Sequence, residues 1–140
     1  MPPILKTKHL KKYFDQTNRI ESIIYRMEKN VHAVDDVNLE IEPREAKAIV
    51  GESGCGKTTL LKTLGGLLDY SGGDILFDGR SLSEFGRKEW KEYRKSVQII
   101  FQDPYNTLDP KMTVRESLVE PLSIHGIQDK KKKIRDALNQ

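Results

Sequence analysis

The sequence predicts an α/β fold from three observations. A short apolar run, Ala46-Lys47-Ala48-Ile49-Val50, leads straight into the glycine-rich stretch Gly51 to Thr58. Leucines at 60, 61, 64, 67 and 68 come next at helical spacing. Upstream, Val37, Leu39 and Ile41 alternate with Asn38, Glu40 and Glu42, the period of two that a half-buried strand requires. Strand, tight loop and helix in that order, with a further strand ahead of them, is the pattern of a mixed α/β chain.

The remaining elements can be placed in chain order. Ile4 to Phe14 mixes apolar residues with lysines and reads as a strand followed by an aromatic turn, and Asp15 to Asn30 is a polar insert. Pro43 ends the alternating strand, and Ala46 to Val50 reads as a central strand because it is mostly apolar and short. The leucine-spaced helix should begin near Lys57 and stop between Gly65 and Tyr70, where glycine and aspartate weaken propagation. Ile75 to Phe77, closed by Asp78-Gly79, is a strand and turn; Glu84 to Lys95 is a charged surface helix; Val97 to Phe101 is another apolar strand, broken by Pro104. Thr113-Val114-Arg115-Glu116 fits a capping box at a helix start. Asp129 is placed to cap a last helix carrying Ile134 and Leu138, which the end of the chain at Gln140 interrupts.

Composition bounds the function. With 140 residues there is room for one domain, and 36% hydrophobic with 32% charged residues describes a soluble chain. Mean hydropathy is -0.61 and no apolar run approaches the roughly 20 residues of a spanning helix. The N-terminus lacks an apolar segment followed by a small-residue cleavage site, and a single cysteine forms no intrachain disulfide, both of which suit the cytosol. A net charge of +3 without a basic groove does not argue for nucleic acid.

The chemistry sits in Gly51-Glu52-Ser53-Gly54-Cys55-Gly56-Lys57-Thr58, which fills every position of the phosphate-binding pattern G-x-x-x-x-G-K-[ST]. Backbone N–H groups of the loop and the positive end of the adjoining helix converge on an anion there. Lys57 reaches the β- and γ-phosphates of a nucleotide as a mobile point charge, each charge-assisted bond contributing about 1.5–3 kcal/mol. The Thr58 hydroxyl is the donor for Mg²⁺. Cys55 acts through its backbone N–H, although its place near Lys57 and a helix start can activate a thiol. His9, His32 and His125 receive no role.

The phosphate loop and the run Gln98-Ile99-Ile100-Phe101-Gln102-Asp103-Pro104-Tyr105-Asn106-Thr107-Leu108-Asp109-Pro110 closely resemble the ATP-binding subunits of ABC transporters. The wording Leu10-Lys11-Lys12-Tyr13-Phe14, a longer insert, Ala33-Val34-Asp35-Asp36-Val37 and Phe101-Gln102-Asp103-Pro104 is similar to the oligopeptide and dipeptide importers. The resemblance covers nearly the whole chain and implies a phosphate-loop NTPase core with an antiparallel β subdomain. Residues 1–140 are then the N-terminal part of one ATP-binding domain, with the phosphate loop at 51–59 and the Q-loop region at 98–110.

By the same resemblance, Lys57 and Gln102 are the catalytic positions, and Thr58 and Gln102 hold Mg²⁺. Gly51, Ser53, Gly54, Cys55, Gly56, Lys57, Thr58 and Thr59 hold ATP, and an aromatic from Tyr13-Phe14, with Phe14 favoured, stacks on the adenine. Through Tyr105 and Met112 the chain resembles the surface that receives an integral membrane permease. The family's signature loop, its acidic pair and its switch histidine lie beyond Gln140, so negligible hydrolysis is expected of this chain alone. The implied partners are permease subunits, a second ATP-binding subunit and, indirectly, a substrate-binding protein, at the cytoplasmic face of the membrane. Peptides lead as cargo, with nickel as the related one. The rivals are a truncated, non-catalytic nucleotide binder and an ABC ATPase with a soluble task.

Overall fold

The structure, a computed structural model, describes residues 2–15, 30–103 and 108–139. The insert expected over Asp15 to Asn30 and the Pro104 to Thr107 part of the permease surface therefore fall largely outside the described residues. The chain divides into two compact units, Met1–Val97 and Gln98–Gln140.

The first unit is built on a four-stranded antiparallel sheet. Its strands are β1 (Leu5–Asp15), β2 (Asn30–Ile41), β3 (Gly72–Phe77) and β4 (Arg80–Ser81), in the order β2-β1-β3-β4. β1 pairs with β2 from Leu5↔Ile41 to Asp15↔Asn30, so the aromatic pair Tyr13-Phe14 belongs to the strand and not to a turn. The expected alternation holds at the far end of β2, where Val37, Leu39 and Ile41 are half-buried and Asn38 and Glu40 are exposed.

Three register slips interrupt the β1–β2 ladder, between Thr7 and Leu10, Leu10 and Lys12, and Lys12 and Tyr13. His9 and Asp36 take positive φ there, and His9 Nδ1 meets Asp36 Oδ1 at 2.6 Å. The buried Thr7 hydroxyl donates to Val37 O at 2.9 Å and accepts from Leu39 N at 2.9 Å, which satisfies the backbone groups the first slip leaves unpaired. At the last slip Lys12 pairs with Val34 and Tyr13 with His32, so Ala33 is the extra residue on β2. Bulges of this kind bend a strand and re-aim the side chains beyond it.

Helix α1 (Lys57–Leu64) comes directly after the glycine-rich loop and ends at Gly65, whose N–H bonds to Leu61 O, as its leucine spacing and the glycine stop require. A 3-10 turn (Leu82–Glu84) leads into α2 (Arg87–Ser96), which starts later than its charge pattern suggested and is more than a surface helix. It buries Tyr93, which is 1% exposed, in a core with Leu10, Val34, Leu60, Leu64, Ile75 and Leu82. Phe77, Phe85 and Trp90 meet the Tyr93 ring edge-on, with centroids 5.0 to 6.1 Å away, the geometry favoured by aromatic quadrupoles. The Tyr93 hydroxyl donates to Leu64 O, and burial pushes its pKa up to about 12.

Two expected strands do not form. Ala46 to Val50 and Val97 to Phe101 carry no ladder, and Val50 and Ile100 are 91% and 97% exposed. A central strand exists only by pairing on both sides, and among the described residues no strand runs beside either segment.

The second unit holds α3 (Val114–Ile124) and α4 (Lys130–Leu138). The capping box at α3 is complete: Thr113 Oγ1 accepts from Glu116 N at 3.3 Å, and Thr113 N donates to Glu116 Oε2 at 2.8 Å. Asp129 stands at the N-cap of α4 but in the left-handed region (φ 55°) with no side-chain cap bond, so the cap expected from sequence is not made. Left-handed backbone there is incompatible with the extended conformation from which a capping carboxylate reaches N–H groups.

The bond from Thr113 N–H holds the Glu116 carboxyl below the usual glutamate range. A lowered folded-state pKa contributes stability above the ordinary glutamate value that is lost as pH falls through the folded one. Helix content of the second unit, followed by circular dichroism from pH 7 to pH 2, should therefore drop on acidification. Glu116→Gln should flatten that drop.

Candidate functional site

The glycine-rich loop, the start of α1 and the facing ends of β1 and β2 enclose a cleft of about 430 Å³. Its walls are Gly54, Cys55, Gly56, Lys57, Thr58 and Thr59 on one side and Phe14, Val31, His32 and Ala33 on the other.

The loop is shaped by two backbone facts. Gly54 and Gly56 have φ of 82° and 96°, conformations that side chains rarely adopt. A Cβ on Gly56 would also fall inside the carbonyl oxygen of the bulged Ala33. Only a glycine lets the loop close against β2, and the same residue is the N-cap of α1, whose first N–H groups then point outward into the cleft. Lys57 folds its ammonium back over the loop, donating to Gly51 O at 2.7 Å and Glu52 O at 2.6 Å, with Cys55 Sγ at 3.5 Å. Both oxygen partners are carbonyls, weaker than a phosphate for an ammonium donor, so an anion in the cleft competes effectively for it.

The opposite wall is set by register. Phe14 pairs with Val31 and Tyr13 with His32, and directly opposed residues share a face of the sheet while successive ones alternate. Phe14 and Val31 line the cleft and Tyr13 does not. The Phe14 ring is 37% exposed, with Lys12 Nζ 5.0 Å from its centroid. Tyr13 instead stacks on His32, with centroids 4.0 Å apart and planes at 17°, and its hydroxyl donates to Asp35 Oδ1 at 2.6 Å.

Of the residues expected from sequence, the cleft thus gathers Phe14, Gly54, Cys55, Gly56, Lys57, Thr58 and Thr59, and Gly51 enters through its carbonyl. Ser53 lies exposed in the loop's turn, away from the lining. Gln102 belongs to the second unit, exposed in a bend before Asp103. Val31, His32 and Ala33 were not foreseen as wall residues, because the bulge breaks the alternation that would have marked them as strand. Among the described residues no carboxylate lines the cleft and no cluster of His, Cys, Asp or Glu could hold a metal. The hydroxyls of Thr58 and Thr59 fit a Mg²⁺ that arrives on phosphates and keeps several waters, and do not fit a cation caged by protein alone.

A glycine-rich loop closed by Lys57-Thr58 at a helix start, beside an antiparallel sheet, defines a phosphate-loop protein of the ATP-binding-cassette fold. The sequence model of the ABC transporter family matches residues 34–140, and the chain belongs to that family. It is 36% identical over 125 residues to the glutathione import ATP-binding protein GsiA of Shigella dysenteriae serotype 1 (strain Sd197) and to that of Escherichia coli (strain K12). Each match takes in 89% of this chain and 20% of the relative. Among solved structures, the dimeric post-hydrolysis state of the ATP-binding cassette MJ0796 bound to ADP and Pi is similar at 25% identity with a TM-score of 0.72, over 96% of this chain and 54% of that one. For cbiO1 from Clostridium perfringens, part of the ABC transporter complex cbiONQ, the values are 28% and 0.61, over 99% and 50%. The chain spans a fifth of the length of GsiA and about half that of these two cassettes.

Gly56→Ala should destabilise the first unit by roughly 2 kcal/mol or more, because strain at positive φ adds to the collision with Ala33. Urea unfolding followed by Trp90 fluorescence measures it. Gly54→Ala, at a positive φ with open space around the added carbon, should be milder.

Proposed function

We propose that this chain is the nucleotide-binding part of an ABC importer's ATP-binding subunit, and that the cleft takes ATP with Mg²⁺. The observation that carries the reading is the union, in one cleft, of a phosphate loop with an exposed aromatic ring on the facing strand. The triphosphate lies on the loop N–H groups and draws the Lys57 ammonium off the Gly51 and Glu52 carbonyls. The base stacks on Phe14, a contact that works through the ring face. Tyr13 is engaged by His32 and Asp35 and does not line the cleft. Mg²⁺ neutralises phosphate charge, with the Thr58 hydroxyl as its protein ligand. Gln102 is assigned to the metal or the attacking water, as its position in the family's Q-loop implies.

The importer reading is supported by relatives whose names specify glutathione import and a transporter complex. Glutathione is a short peptide, which accords with a peptide cargo chosen by the partner permease and binding protein. No helix among the described residues is long and apolar enough to cross a membrane, so permease subunits would supply the pore and the chain would sit at their cytoplasmic face. A dimeric neighbour supports pairing with a second cassette.

Titration calorimetry with Mg-ATP tests the reading. Lys57→Ala should raise Kd by roughly ten- to a hundredfold, the equivalent of one strong charge-assisted bond. The chain alone should hydrolyse ATP negligibly, because among the described residues no carboxylate lines the cleft to serve as general base. Hydrolysis at rates on the order of 1 s⁻¹ or above, ordinary for enzymes, would contradict this.

A further inference from the structure

Beside Phe14 and Val31 in the β1–β2 ladder, three side chains interlock. The Tyr13 ring lies flat on His32, its hydroxyl donates to Asp35 Oδ1 at 2.6 Å, and His32 Nδ1 stands 3.6 Å from Asp35 Oδ2. The backbone of Tyr13 is pinned as well. Its N–H donates to Ser71 Oγ at 3.0 Å, the Ser71 hydroxyl reaches the Tyr13 carbonyl at 3.4 Å, and Ser71 N donates to Lys11 O at 2.7 Å. Tyr13 is thus held from β2 through its side chain and from the start of β3 through its main chain. None of the three interlocked side chains has a place in the chemistry proposed for the cleft.

This cluster lies where the ladder most needs it. The bulge at Ala33 breaks the register immediately before the Tyr13↔His32 pair, and among the described residues the pairs Phe14↔Val31 and Asp15↔Asn30 lie beyond it. A strand end beyond a bulge frays readily, since its few ladder bonds are poorly supported. Phe14 stands on that end with its ring partly in solvent. Without a second attachment, ordering the ring on a base would have to offset the conformational entropy of the whole strand end.

We propose that Tyr13, His32 and Asp35 form a latch beside the cleft that holds the Phe14–Val31 pair at its mouth and so sets the affinity for the base of a bound nucleotide. They are positioning residues, and the proposal rests on the reading of the cleft as a nucleotide site. The same Tyr13-to-Asp35 bond holds the Asp35 carboxyl below its usual range and the Tyr13 hydroxyl above its own.

The test compares two ligands, Mg-ATP and Mg-tripolyphosphate, by calorimetry on the 140-residue chain. Tripolyphosphate has no base and reports on the loop alone. Tyr13→Phe removes the hydroxyl and keeps the ring, and should weaken ATP binding roughly threefold, in keeping with one partly exposed hydrogen bond. His32→Ala removes the stacking partner as well and should weaken it about tenfold. Tyr13→Phe should not move tripolyphosphate by as much as twofold, and Asp35→Asn, which keeps an accepting oxygen, should restore most of what Asp35→Ala loses. Phe14→Ala sets the limit, an ATP affinity no better than that of tripolyphosphate. Unchanged ATP affinity in Tyr13→Phe and His32→Ala would overturn the latch, as would equal losses for both ligands in Tyr13→Phe. A wild-type chain that binds neither ligand would overturn the nucleotide reading and the latch with it. A wild type that binds tripolyphosphate and ATP equally would overturn the base-stacking role alone, and therefore the latch.

Discussion

The cleft depends on the close approach of the Gly56 backbone to the carbonyl of Ala33. Two segments distant in sequence meet there, and each is irregular at the point of contact. Ala33 is the extra residue of a bulge, and its carbonyl faces the loop at Gly56. Gly56 takes a positive φ, which ends the loop and opens helix α1 in a single residue. A regular β2 would leave no carbonyl to pack against, and any side chain at 56 would keep the two apart. Loop, helix start and aromatic wall share one boundary because both irregularities occur together.

The rest of the first unit holds that boundary still. Leu60, Thr63 and Leu64 bury one side of α1, and the Tyr93 hydroxyl takes up the carbonyl of Leu64 near the helix end, where backbone oxygens lack helical partners. The rings around Tyr93 fix α2 in turn. At the other end Lys57 is tied to the Gly51 and Glu52 carbonyls and the Cys55 sulfur, partners that it can exchange for phosphate. The helix is therefore fixed at its C-terminal half and presents a reorienting ammonium at its N-terminal end, a division that suits a site built to close on an anion.

Much of this was legible in the residues. The phosphate loop, the leucine helix and its glycine stop, the strand closed by Asp78-Gly79 and the Thr113–Glu116 box are all local: each arises from spacing or from a side chain bonding a few residues away, and each was found where expected. What sequence missed was non-local. The near half of β2 carries no alternation because three register slips erase it, so Val31, His32 and Ala33 were not seen as wall residues. Asp129 has the right side chain for a cap and the wrong backbone for one. Ala46 to Val50 and Val97 to Phe101 have the composition of central strands, yet composition cannot supply the neighbours that make a ladder. The choice between Tyr13 and Phe14 needed the pairing partner of each, which no periodicity contains.

Those unpaired runs also bear on the fate of the chain in a cell. Val50 is almost wholly in water, next to Ile49 at the end of a stretch that forms no ladder among the described residues. Such a stretch is what chaperones hold and proteases cut, and its unsatisfied N–H and C=O groups are a template for adventitious pairing with other chains. Lys47 is the one charged residue in the run, and it is drawn aside to Glu45 and the carbonyl of Glu40. A neighbouring strand laid along Ala46 to Val50 would cover that apolar surface and pair its backbone, which is what a central strand requires.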